Sequence, residues 1–233
     1  MALPPAPADK AFMREVDEEL RRDQIATAWQ RFGRIGIVAV LAGLIALAGW
    51  LYWQSRQQAR AGADGEQLQA AFDQLQAGQA QQAEPTLATL AKSRGDGYRA
   101  LAQLAQADLL LGKNDSKGAA AKFAGIAADA SLGQPFRDLA LVRQTAIEFD
   151  TLPPQQVIER LRPLAVAGNP WFGSAGEMTA VAHLRQNRRD LAGKLFGQIA
   201  KAEDVPDSTR QRAVQMAGLL GVDAAPSAGA TPS

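Results

Sequence analysis

The sequence predicts an all-α protein in which a single transmembrane helix near the amino terminus is followed by an α-solenoid of about four helical hairpins. Three observations lead there. Alanine, leucine and glutamine are abundant while aromatics make up only 6% of the chain, a composition that favours closely packed helices over sheets. Residues 35–53 are apolar and lie between Arg34 and Arg56. Beyond them, a small or β-branched residue stands four positions before a leucine or phenylalanine in four places: Ala83 with Leu87, Ala119 with Phe123, Val157 with Leu161, and Ala192 with Phe196. The large residues follow one another at intervals of 36, 38 and 35, a period typical of stacked helical hairpins.

The chain opens on a Pro- and Ala-rich segment, then a mixed-charge stretch in which Phe12, Val16, Leu20 and Ile25 recur at near-helical spacing. This leader, residues 1–34, is expected to carry a short amphipathic helix. Residues 35–53, rising about 1.5 Å each, span roughly 28 Å, close to the hydrocarbon thickness of a bilayer. Trp50, Tyr52 and Trp53 at one end, and Trp29 and Phe32 before the other, suit headgroup depth. A buried soluble helix seldom stays apolar on every face for so long. A cleaved signal peptide has a shorter apolar core and a short basic start, whereas here 34 residues with six acids and six bases come first. A retained anchor is therefore expected, in contact with lipid through residues 35–53. Arg21, Arg22, Arg31 and Arg34 on the amino-terminal flank outnumber Arg56 and Arg60, which places the amino terminus in the cytoplasm.

Residues 54–222 are expected to form the repeat domain, and 223–233 a disordered tail. Gly78, Gly112 and Asn187 precede three of the four small and large pairs and mark turns, with Asp150 and Thr151 in that place for the third. A small residue lets the paired helix approach, and a Leu or Phe one turn later fills the space beside it. Pro135, Pro153, Pro154, Pro170 and Pro206 fall at helix starts or in connections. One such hairpin cannot cover its own apolar faces, so neighbours must stack.

The second unit, "LAQADLLLGK" followed by Ala119 and Phe123, resembles the tetratricopeptide repeat, with an apparent two-residue insertion after Gly112. Across residues 16–79, the runs "EVDEELRRDQ", "WQRFGRIGI", "GWLYWQSRQQARA" and "LQAAFDQLQAGQ" resemble a family of tetratricopeptide-repeat-like inner-membrane proteins that includes the ancillary subunit of the SecYEG translocon. The resemblance implies a bacterial inner-membrane protein whose repeat domain is periplasmic. It further implies a partner set of the SecYEG translocon and periplasmic chaperones or exported clients. A structural adaptor for envelope assembly or cell division is the alternative that the same architecture leaves open.

Charge is nearly balanced, with 25 Lys plus Arg against 24 Asp plus Glu, so no global field favours nucleic acid. There is no cysteine, which excludes disulfides and thiolate chemistry, and His183 is the single histidine. "GNPWFGSAG" lacks the Gly-x-Ser-x-Gly order of a nucleophile elbow, and "LGKND" lacks the remainder of a phosphate loop. With no nucleophile, base and orienter in sight, no enzyme, no metal site and no cofactor is expected. Tetratricopeptide arrays bind partners along the first helix of each hairpin. In this register Phe72, Arg99, Gln106, Arg137, Gln144, Glu177 and Arg185 face such a groove, a mixed polar surface suited to peptides or protein loops.

Overall fold

The computed structural model describes residues 7–223, with side chains from residue 36 onward except 57, 59 and 60. The leader side chains Phe12, Val16, Leu20 and Ile25, the aromatic residues Trp29 and Phe32, and the tail beyond Asp223 lie outside the described residues. Among the described residues there are nine helices and no strand: α1 (Pro7–Gln76), α2 (Ala80–Leu90), α3 (Asp96–Gly112), α4 (Ser116–Ala128), α5 (Gln134–Glu148), α6 (Pro154–Leu161), α7 (Phe172–Arg185), α8 (Arg189–Lys201) and α9 (Asp207–Leu219). The chain divides into two compact units, Met1–Ala61 and Gly62–Ser233.

In the first unit, α1 carries an apolar window of mean hydropathy 2.0, none of which is buried. Side chains that ordinarily form cores stand open, Ile45 at 72% and Val38 at 65% exposure. Burial of such side chains is worth about 1.5–3 kcal/mol each, and no protein surface among the described residues supplies it. This stretch is long and apolar enough to cross a membrane and is compatible with single-pass anchoring. At its end the Arg56 guanidinium donates to the Tyr52 hydroxyl at 2.8 Å and lies 5.3 Å above the ring.

The second unit is a row of four hairpins and a closing helix, because each apolar face is covered only by the elements next to it and one further along. Four core clusters follow one another. Leu68 and Ala71 of α1 meet Ala83, Leu87 and Leu90 of α2 and Ala102 and Ala105 of α3. The other side of α3, with Ala100, Leu104 and Ala107, meets Phe123 and Ile126 of α4 and Ala140 of α5. Val142 of α5, Val157 and Leu161 of α6, and Ala175 and Ala182 of α7 build the third. Phe172 and Ala180 of α7 join Ala192, Phe196 and Ile199 of α8 with Ala213 and Ala217 of α9 in the fourth. The odd-numbered helices α3, α5 and α7 thus serve two cores each. In α3, alanines on both sides make that double approach possible.

All four large residues of the repeat pattern, and three of the four small ones, belong to these clusters, and the fourth small residue, Ala119, is likewise fully buried. Ala83, Ala119, Val157 and Ala192 have no exposed surface, and Leu87, Phe123, Leu161 and Phe196 have at most 1%. The turns sharpen the pattern. Gly78, Asn114 and Asn187 adopt left-handed φ values of 74°, 62° and 59°, each five positions before the buried small residue. The residue after each donates its N–H to a carbonyl five positions back, Gln79 to Gln74, Asp115 to Leu110 and Arg188 to His183, the Schellman closure of a helix end. In the second hairpin the turn residue is therefore Asn114 and not Gly112, which is the last residue of α3. The two-residue insertion disappears once Asn114 is counted as the turn.

The third connection is built differently. The Thr151 and Leu152 amides and the Thr151 hydroxyl all donate to the Glu148 carbonyl, and Pro153 with Pro154 starts an α6 of only 8 residues. Residues 168–171, inside "GNPWFGSAG", are the connection into α7, where Gly168 is left-handed at φ 83° and the Asn169 side chain accepts the Trp171 N–H at 2.8 Å.

Candidate protein-interaction surface

The seven groove residues expected from sequence lie on α1, α3, α5 and α7. Phe72 packs against the first core. Arg99 donates to the Ser131 hydroxyl at 2.9 Å and pairs with Asp96 at 3.0 Å. Arg137 donates to the Gln134 side chain, while its Nε is buried without a partner. These two arginines converge on the α4–α5 connection, where the Ser131 hydroxyl and then its amide hold the Asp129 carboxyl below its ordinary range, with smaller contributions from Arg99 and Arg137. Arginines from successive hairpins therefore share one field.

The remaining four do not join that group. Gln144 donates to Glu148, which is ion-paired with Arg160 of α6. Glu177 receives Arg212 of α9 through two bonds, 2.9 Å from Nε and 2.8 Å from Nη2, a bidentate pair that ties α7 to α9. Arg185 donates to the Phe149 carbonyl at 2.7 Å and lies 5.4 Å above the Phe149 ring. Gln106 lines a cleft of about 520 Å³ between α2, α3 and α4. A further pair between odd-numbered helices, Arg143 with Asp108, links α5 to α3, and Arg143 also stacks 5.2 Å from the Phe123 ring centre. Burial raises the Asp108 carboxyl above its ordinary range, and Arg143 offsets part of that rise.

Lys122, Glu84, Leu110 and Lys113 also line the cleft and lie outside the groove that the repeat register selects. A signal was present, since the cleft residues of α2 and α3 recur at i, i+3, i+4 and i+7. It was hidden because such a stripe reads equally well as core.

His183 lies half-buried on α7, with Nδ1 buried and unpartnered. Desolvation, then the charge of Arg188, lowers its pKa, with Asp190 acting in the opposite sense. Among the described residues no group of three or more His, Asp or Glu side chains is arranged to hold a metal ion.

A row of helical hairpins with shared cores, a surface rich in paired charges and an open cleft define a helical-repeat protein. A family model for the tetratricopeptide repeat-like domain matches residues 27–217, and the chain belongs to that family. Such repeat domains are protein-interaction scaffolds, and they are typically not enzymes. No curated protein and no solved structure matches the chain.

Proposed function

We propose that the protein is a single-pass membrane scaffold, ancillary to the SecYEG translocon of the bacterial inner membrane, that brings periplasmic chaperones or exported clients to the channel. The observation that carries this reading is the presence, in one chain, of an unburied apolar helix and a repeat-like interaction domain. The resemblance of residues 16–79 to the inner-membrane family that includes the ancillary translocon subunit supports the partner, and the arginine asymmetry supports a cytoplasmic amino terminus. In this proposal the surface carrying Phe72, Arg99, Gln106, Arg137, Gln144, Glu177 and Arg185 contributes to client contact. The mechanism is tethering: anchoring a weak binding surface beside the channel raises its effective concentration without tight contacts.

Purification of the full chain in mild detergent tests the partner. Translocon subunits should accompany it, and a chain lacking residues 1–53 but exported by a cleavable signal should lose most of that association. Recovery of envelope-assembly or division proteins without translocon subunits would replace this reading with the adaptor. Protease added to spheroplasts tests orientation: the repeat domain should be degraded and an amino-terminal fragment of roughly 50 residues protected.

A further inference from the structure

We propose that the cleft between α2, α3 and α4 is a docking site for a short amphipathic segment of a partner protein, one that sets apolar side chains beside a carboxylate. The site is distinct from a row of odd-numbered helices, because two of its three walls are the even-numbered helices α2 and α4. Both pack on α3 and neither packs on the other, so the surface of α3 between them stays uncovered.

Two helix faces meet there. From α2 come Gln81, Glu84, Pro85 and Ala88, and from α3 and its C-cap come Gln106, Leu109, Leu110 and Lys113. Each set follows the i, i+3, i+4, i+7 spacing of one helical face over two turns, roughly 10 Å of groove. The volume, about 520 Å³, lies within the range of ligand-binding clefts.

The floor is apolar and is formed by Leu109 and Leu110, both half-buried. Leu109 packs against the first core and Leu111 against the second, whereas Leu110 belongs to neither. Beside it are the ring of Pro85 and the methyl of Ala88. Pro85 also has no N–H to give the Gln81 carbonyl one turn earlier, which leaves an acceptor for a partner's donor at the rim.

Charge chooses the occupant. Glu84 is already ion-paired with Lys113. Lys122 of α4 is half-buried at the wall and makes no hydrogen bond or ion pair with the described residues. The cleft therefore holds one unmatched positive charge above an apolar floor. A purely apolar segment would desolvate that ammonium without compensation, and a basic one would add repulsion. A segment that lays leucine-like side chains on Leu109 and Leu110 and extends a carboxylate to Lys122 satisfies both requirements.

This inference rests on the interaction-scaffold reading and on no membrane or translocon assignment. Loss of translocon co-purification would leave it standing, and loss of peptide binding would leave the translocon reading standing. The test uses the full chain in detergent and fluorescence anisotropy of a labelled helical peptide of about 14 residues. The peptide carries leucines at i, i+3 and i+7 and a glutamate at i+4, with glutamate tried at the other registers. Two controls replace the glutamate by lysine or the leucines by serine.

The acidic peptide should bind and both controls should bind much more weakly. Lys122→Glu should weaken the acidic peptide about tenfold or more and favour the lysine control. Leu110→Asp should abolish binding, with both variants still unfolding in a cooperative transition well above the assay temperature. Binding should weaken as salt rises. No binding in any register, equal binding of all three peptides, or acidic-peptide binding indifferent to both substitutions would overturn the proposal.

Discussion

In the fourth hairpin, α8 lays Ala192, Gly193 and Gly197 against its neighbours over 13 residues, whereas in the third, α6 offers Val157 and Leu161 and stops after 8. The approach in the fourth is so close that a Cβ on Gly193 would stand 2.8 Å from Val222 Cγ2, and one on Gly173 would stand 2.9 Å from Val205 Cγ1. Backbone surface itself is the contact there. In the third, the connection is held by polar groups: Thr151 and Leu152 on the Glu148 carbonyl, Arg160 on the Glu148 carboxylate, and Arg185 reaching across from α7 to the Phe149 carbonyl. One hairpin depends on the absence of side-chain volume and the other on the presence of donors. Added volume should therefore damage the fourth, and lost donors the third.

The largest contrast should come from emptying the two cores. Phe196→Ala is expected to lower unfolding free energy by about 3–5 kcal/mol, and Leu161→Ala by the lower part of about 2–5 kcal/mol, since a short α6 can shift into the space. Denaturant unfolding of the purified protein measures both. An equal loss would show α6 to be as firmly positioned as α8.

Overpacking comes next. Gly193→Val and Ala192→Trp should each destabilise by about 1–3 kcal/mol, because Val222 and the adjoining helices already occupy the space. Ala119→Trp in the second hairpin should behave alike, while Lys122→Ala should leave the melting temperature in place. Normal melting of both tryptophan variants would mean that these alanines are not where the helices meet.

A smaller effect separates the turns. Asn187→Ala forces a Cβ-bearing residue without a local hydrogen-bonding side chain into left-handed φ and should cost about 1 kcal/mol, whereas Asn187→Gly should be close to neutral. The third connection has no left-handed residue to test. Thr151→Ala there should remove about 0.5–1.5 kcal/mol through its hydroxyl bond. Thermal melts of the three variants check the ranking.

The smallest expected effect is on pH. His183 is depressed in the folded protein by desolvation and by Arg188, so between its folded pKa and the unfolded value near 6.5 the unfolded chain binds more protons. Stability therefore rises with pH across that window, and it is lost as pH falls below about 6.5. His183→Gln should flatten that part of the profile. A variant with the same loss of melting temperature between neutral and acid pH would remove His183 as its source.

Much of the architecture was legible because its determinants are local. Ala83, Ala119, Val157 and Ala192 could be found by spacing alone, since a residue facing a partner helix must be small wherever the helices come close. The apolar run was legible for a similar reason: nineteen apolar residues on every face of a helix leave no polar side to present to water. The turn of the second hairpin was less so. Gly112 carries the stronger propensity for a break, yet asparagine also tolerates left-handed φ, and Asn114 keeps the five-residue offset to Ala119. The candidate interface was the least legible part. Spacing put Arg99 and Gln106 on one face of α3, but not which neighbours would engage them.

By itself, then, the sequence determined the helical period, the positions that must be small, the large residues that fill the cores and the one stretch that shuns water, all of which follow from composition within a few turns. Only the tertiary structure decided that α6 is cut short and held by polar bonds, that Glu177 and Arg185 are taken up by Arg212 and by the carbonyls of the third turn, and that α2 and α4 leave α3 uncovered beside Lys122. Those outcomes depend on partners supplied by other hairpins, 35 residues away in the case of Glu177 and Arg212. Whether a charge is matched or a leucine covered is a property of the neighbours that packing brings to it.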